Sequence, residues 1–60
     1  MPLTKGSLIA IKIILRSAYG LIRDVQNAVR RDDDAFAKRL QVILLLIEDE
    51  LRYLEVEIKK

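Results

Sequence analysis

Apolar residues in the first half of the chain recur at alternating intervals of three and four residues. The positions are Leu8, Ile11, Leu15, Ala18, Ile22, Val25 and Val29. Because these intervals return an α-helix to nearly the same side, the pattern predicts one helical stripe, which we call the first seam. Ser7 precedes the stripe and is a favourable N-cap residue. The first helix is therefore expected over about residues 7–30, after a lead-in over residues 1–6.

A second stripe with the same intervals occupies the other half of the chain and is called the second seam. It consists of Ala37, Leu40, Leu44, Ile47, Leu51, Leu54 and Ile58. Its phase is displaced by one residue, so a single continuous helix would bring Asp32, Arg39 and Glu50 onto the buried line. The displacement favours two helices, the second over about residues 35–58. A continuous helix is the alternative.

The connection between the helices is expected at about residues 31–34, although neither Gly nor Pro marks a turn there. The local sequence is Arg30-Arg31-Asp32-Asp33-Asp34. Basic side chains suit the negative C-terminal end of one helix, and acidic side chains suit the positive N-terminal end of the next. Asp32 or Asp33 is expected to cap the second helix.

These features predict an all-α fold, an antiparallel two-helix hairpin formed by the single domain 1–60. Ile14, Leu21 and Ala28 lie beside the first seam and widen it, as is typical of a helical bundle. A chain of 60 residues with neither Cys nor His has no disulfide or common metal ligand for stability, whereas 22 of its residues are Leu, Ile or Val. We therefore expect a homo-oligomer, a dimer forming a four-helix bundle or a larger assembly, with the two seams as its interface.

The segment from Leu40 to Ile47 is apolar at seven of its eight positions, more than one buried side requires. The apolar residues that lie outside the seams and their flanks form a candidate partner-binding patch. They are Ile9, Ile13, Val42, Leu45, Leu46, Tyr53 and Val56. A surplus of this kind is typical of a surface for a protein partner. Burial within a larger oligomer is the alternative.

Charge is distributed unevenly along the chain. Residues 1–31 carry six basic and one acidic side chain, or +5, whereas residues 32–60 carry five basic and eight acidic side chains, or −3. A basic stripe on the first helix, with Gln26 and Asn27 interleaved, consists of Lys12, Arg16, Tyr19, Arg23 and Arg30. Such a stripe can bind the phosphates of a nucleic acid, with Tyr19 stacking on a base. The alternative is pairing with acids of the second helix, namely Glu48, Glu50, Glu55 and Glu57.

Nothing in the sequence indicates catalysis, a metal site or a cofactor. The hydroxyl side chains have no His to act as base, no glycine-rich phosphate loop is present, and the acidic clusters are explained by capping and solvation. No apolar run approaches the roughly 20 residues that cross a bilayer, and no secretory signal is recognisable. With no Cys, the chain is expected to be cytoplasmic.

The predicted architecture is similar in outline to that of small RNA-binding plasmid copy-control proteins, which dimerise as antiparallel helical hairpins. The similarity covers size and heptad pattern, and no site residue is transferred from it. The sequence thus favours a non-enzymatic assembly or adaptor protein that binds another macromolecule. The alternative is a small nucleic-acid-binding regulator, and a third hypothesis is a peripheral membrane protein that uses Ile9, Lys12 and Ile13.

Overall fold

The chain folds as two antiparallel α-helices in a computed structural model that describes residues 3–60. Helix α1 comprises Lys5–Val29 and helix α2 comprises Asp34–Lys59. The two helices pack against each other, so the predicted helical hairpin is confirmed and the continuous helix is not formed. Met1 and Pro2, the beginning of the predicted lead-in, lie outside the described residues.

Helix α1 begins two residues before the predicted start because Thr4, rather than Ser7, is its N-cap. The Ser7 amide donates to Thr4 Oγ1 at 3.1 Å, and the Thr4 hydroxyl donates to Ser7 Oγ at 3.0 Å. The prediction of Ser7 as the cap was therefore wrong. Both residues carry a hydroxyl that can cap, and Gly6 is accommodated in the first turn of the helix.

The connection occupies residues 30–33, one residue earlier than predicted. The Val29 carbonyl accepts hydrogen bonds from the amides of Asp32 at 3.0 Å and Asp33 at 2.8 Å, which closes the turn without a glycine. Asp33 is confirmed as the N-cap of α2, because its Oδ1 accepts from the Phe36 amide at 3.0 Å. Asp34 belongs to the helix, where its charge favours the N-terminal end.

The two seams face each other along the hairpin. Apolar side chains that are buried in this contact are Leu8, Ala37, Leu44 and Leu54. The other seam positions are half-buried except Val25, which is 47% exposed. The buried position at that level is taken by Gln26, which is only 5% exposed. Val25 therefore lies outside the contact with α2, and its place in an oligomer interface stays a prediction. Gln26, which the sequence places among the residues of the basic stripe, faces α2 instead.

Neither described helix is long and apolar enough to cross a membrane. The hairpin extends 43 Å along its longest axis and 18 and 15 Å across it. One pair of helices thus forms an elongated rod, and its long sides carry the candidate interaction surfaces.

Replacing Leu44 by Ala should lower the free energy of unfolding by about 2–4 kcal/mol, because the removed side chain leaves a cavity in the interhelix contact. Leu44 is 2% exposed, whereas its neighbour Leu45 is 50% exposed. Leu45→Ala is therefore the matched control and should change stability by about 0.5 kcal/mol or less. Urea denaturation followed by circular dichroism measures both, and equal losses would contradict the observed orientation of α2.

Candidate interaction surfaces

The seams divide the surface of the hairpin into two flanks of different chemistry. Three polar contacts connect the helices along one side, which we call the polar flank. They join Lys12 to Glu55, Tyr19 to Glu48 and Gln26 to Gln41. Each step of seven residues forward along α1 matches a step of seven residues backward along α2, as expected for one antiparallel register. The three contacts therefore show which sides of α1 and α2 share this flank.

The opposite side, called the apolar flank, carries exposed apolar side chains next to the seams. They are Ile14, Leu21, Val25, Phe36 and Ile43. Residues seven apart lie on nearly the same side of a helix, which groups Ile14 with Leu21 and Phe36 with Ile43. Ile14 is 66% exposed and Leu21 is 67% exposed, the highest values among the large apolar residues of α1. The structure therefore leaves a mainly apolar surface on this side of the hairpin, which on α2 is followed by the exposed Glu50, seven residues after Ile43.

Lys12 of the basic stripe forms an ion pair with Glu55 across the hairpin. The hydrogen bond from Lys12, aided by the positive charges of Lys12, Lys59 and Arg16, holds the pKa of the Glu55 carboxyl below its ordinary value, while partial burial opposes this effect. One of the two alternatives for the basic stripe was pairing with acids of the second helix, and Lys12 forms such a pair.

Tyr19 also turns toward α2, where its hydroxyl donates to Glu48 Oε1 at 3.0 Å. This hydrogen bond raises the pKa of the Tyr19 phenol, as do partial burial and the negative charge of Glu48, whereas the charge of Arg23 lowers it. The phenol is therefore held in its neutral, donating form. Its hydroxyl marks the middle of the polar flank.

Gln26 is a buried polar residue that the sequence pattern did not identify. Its side-chain nitrogen donates to the Ala37 carbonyl at 3.1 Å and to Gln41 Oε1 at 2.8 Å. Among the described residues, no buried side-chain nitrogen or oxygen lacks a hydrogen-bond partner. Burial of this amide is tolerated because its donors are satisfied across the hairpin.

The three arginines of the basic stripe remain on the surface. Arg16, Arg23 and Arg30 are exposed, and within residues 3–60 none of them has a carboxylate within ion-pair distance. Their spacing of seven residues places them on one line along α1. The predicted stripe is therefore divided into an inner part, Lys12 and Tyr19, which contacts α2, and an outer row of three arginines.

Two shallow cavities lie on the polar flank, next to this row. The first has a volume of about 300 Å³ and is lined by Arg16, Tyr19, Glu48 and Leu51. The second, of about 230 Å³, lies near the connection and is lined by Gln26, Arg30, Asp34, Ala37, Lys38 and Gln41. Each cavity thus combines an arginine with neutral hydrogen-bonding side chains and one carboxylate, which is Glu48 in the first cavity and Asp34 in the second.

All seven residues of the predicted partner-binding patch are exposed. Not all of them lie on the same side of the hairpin, however. Ile13 lies on the outward side of α1 and Val42 lies on the outward side of α2, and these sides face away from each other because the seams lie between them. Binding of a partner by either group stays a prediction.

No cluster of side chains typical of a metal site is found in the described part of the chain. Within residues 3–60 no three carboxylates converge as ligands for a metal ion. The groups that the structure does bring together are an arginine row, a tyrosine held by a carboxylate and two glutamines. These groups can bind anions and donate hydrogen bonds.

The neutral Tyr19 phenol can be tested directly by titration. In a Tyr53→Phe background Tyr19 is the only tyrosine, and its pKa, followed by ultraviolet absorbance, should lie above the ordinary value for tyrosine. Glu48→Gln should lower this pKa, because it removes the negative charge beside the phenol. Since the folded pKa is raised, the contact stabilises the fold below the ordinary tyrosine pKa and is lost as pH rises through the folded value. Asp49→Asn is the control, and an equal shift in that variant would contradict the contact.

Replacing Gln26 by Ala should reduce the free energy of unfolding by about 1–3 kcal/mol, because two cross-helix hydrogen bonds and their packing are lost. Asn27→Ala, at the adjacent exposed position, should have little effect. Denaturation curves recorded at one protein concentration measure both variants. A larger loss for Asn27→Ala would show that the other side of α1 faces α2.

No family model, curated protein or solved structure matches this chain in the comparisons with known proteins. Function therefore has to be inferred from the geometry and charge of the hairpin itself.

Proposed function

We propose that the chain is a non-enzymatic assembly module that forms a homodimer through its apolar flank and uses its remaining surface to bind another macromolecule. The observation that supports this most directly is the contrast between the two flanks. One flank carries the exposed apolar side chains Ile14 and Leu21, and the other carries the polar contacts between the helices. A second copy of the chain is the occupant that we propose for the apolar flank.

The exposed area of the isolated hairpin supports self-association. Its accessible surface is 4863 Å², whereas a compact monomer of its mass is expected to expose only about 4,000 Å². The excess arises because two helices share a single contact. Covering apolar area contributes about 25 cal/mol per Å² before the costs of association, which supports a partner that covers the apolar flank.

The shape of the apolar flank also suits a dimer. A standard protein interface covers about 800 Å² on each partner, which is comparable to a side of the hairpin measuring 43 by 18 Å. Ile11, Ala18 and Ile47 are half-buried seam residues, and they would become fully covered on this side. Two hairpins packed face to face would form a four-helix bundle, in which wide apolar stripes on all helices are required.

The outward apolar side chains support the adaptor part of the proposal. Val42, Leu46 and Tyr53 remain exposed on α2 away from the apolar flank's centre, so a dimer would keep part of this surface accessible. Exposed apolar patches on soluble proteins commonly mark sites of protein interaction. A cytoplasmic location is a further prediction of the sequence.

Ile14→Asp should prevent or strongly weaken dimer formation, because it would place an unpaired charge within the interface. The neighbouring Ile13 is 60% exposed but lies on the outward side of α1, so Ile13→Asp is the matched control and should leave the dimer intact. Sedimentation velocity over a range of protein concentrations measures both variants, with circular dichroism to follow helix content.

Two results would contradict the proposed dimer. The first is a wild-type chain that is folded and monomeric at micromolar to millimolar concentrations. The second is a greater loss of association in Ile13→Asp than in Ile14→Asp, which would place the interface on the outward side of α1. If Ile14→Asp unfolds on dilution while Ile13→Asp does not, folding and dimer formation are coupled, and the assignment of the interface still holds.

A further inference from the structure

We propose that the polar flank is a binding surface for the phosphate backbone of nucleic acid, with Arg16, Arg23 and Arg30 as its phosphate-binding residues. This surface lies on the side of the hairpin opposite to the apolar flank. The proposal therefore names the second partner of the assembly module but does not depend on dimer formation.

The arginine row has the geometry that a polyanion requires. Seven residues of helix rise about 1.5 Å each, so successive members of the row lie about 10 Å apart along α1. All three are exposed, and none has an ion-pair partner within residues 3–60. An arginine guanidinium can donate two parallel hydrogen bonds to one phosphate, and a rigid helix holds three of them in a line.

The acidic residues nearest to the row are occupied by other partners. Glu55 is paired with Lys12, and Glu48 accepts the hydroxyl hydrogen of Tyr19. Glu48 lines the same cavity as Arg16, and Asp34, which lines the cavity of Arg30, is paired with Lys38. None of these carboxylates lies within ion-pair distance of an arginine of the row. Lys59 of α2 is positioned on the same side as Glu48, because the two are eleven residues, or about three turns, apart. It adds positive charge to the flank.

The two cavities supply groups for the sugars and bases between phosphates. Tyr19 lines the cavity beside Arg16, and the exposed amide of Gln41 lines the cavity beside Arg30. Aromatic rings and amides are the side chains that stack on bases or bind their edges. A row of arginines alternating with such groups favours a nucleic acid over a simple anion.

An anionic membrane is the other polyanion that an exposed basic helix could bind. Membrane-surface helices combine their basic residues with large apolar side chains that enter the lipid. Between Arg16 and Arg30, the positions on the polar flank are instead Tyr19, Gln26 and Asn27, and the large apolar residue on the line of the row, Ile9, lies at its end, seven residues before Arg16. The polar flank therefore fits a nucleic-acid backbone better than a lipid surface.

The test is binding of the full chain to fluorescently labelled duplex DNA, duplex RNA and single-stranded RNA, measured by anisotropy at several salt concentrations. Wild-type protein should bind at low salt, and affinity for duplex DNA should fall with a slope of about −0.9 per phosphate contact on logarithmic axes. Three contacts predict a slope of about −3, with little dependence on base sequence.

The decisive variant is Arg16→Gln with Arg23→Gln and Arg30→Gln, which should weaken binding at least tenfold and remove most of the salt dependence. A matched control replaces Arg31, Arg39 and Lys60 by Gln. It removes the same net charge from positions outside the arginine row. Its affinity should stay within about threefold of wild type. Circular dichroism and sedimentation should show both variants folded and associated like wild type.

Three results would overturn the proposal. They are no binding to any of the three nucleic acids at low salt, equal losses in the two triple variants, and binding to vesicles containing anionic lipid without binding to nucleic acid. Ile14→Asp separates this proposal from the proposed dimer. If that variant is folded, loses self-association and keeps its salt-dependent binding, both proposals hold. If wild-type chain binds nucleic acid but never self-associates, only the dimer fails.

Discussion

A hairpin of two helices contains a single interhelix contact, so each helix can bury only one of its sides. In this chain the contact buries Leu44 and Leu54 of α2 and Leu8 of α1, while most other seam residues remain half-exposed. The tight turn at residues 30–33 aligns the helices so that cross-helix contacts occur along their whole length. What remains outside the contact is therefore determined by which side each helix turns inward.

The intervals of three and four residues were sufficient to predict both helices and their antiparallel arrangement. They could not choose between neighbouring residues with similar local chemistry. Thr4 and Ser7 can each cap a helix, and the structure uses Thr4, whose Oγ1 reaches the Ser7 amide. Capping depends on the direction of one side chain relative to one amide, and a spacing pattern does not contain this information.

The positions of Val25 and Gln26 show a different limit of the spacing pattern. Both positions continue the helical repeat after Ile22, and apolar character favours Val25 as the buried one. The structure buries Gln26 instead, because Gln41 and the Ala37 carbonyl accept its hydrogens from the other helix. Those partners are eleven and fifteen residues away. A contact that depends on pairing across the hairpin becomes visible only when the register of the two helices is known.

The same register divides the basic stripe. Lys12 and the arginines look alike in sequence, but only Lys12 lies close enough to the seam to pair with Glu55. The arginines lie outside the contact between the helices, and their spacing of seven residues along the surface depends on α1 alone. The apolar flank was less apparent, because residues such as Ile14 and Leu21 look like a widened seam until the structure shows them to be exposed.

The two proposed surfaces differ in how much they depend on the closed hairpin. The arginine row requires only that α1 is helical, whereas the cavity near the connection also needs Lys38 and Gln41 of α2. A partner that binds only the closed hairpin stabilises that state in proportion to its concentration. Dimer formation through the apolar flank would therefore increase the population in which α2 completes the polar flank. Self-association would strengthen nucleic-acid binding in this way without contributing a single contact to the phosphates.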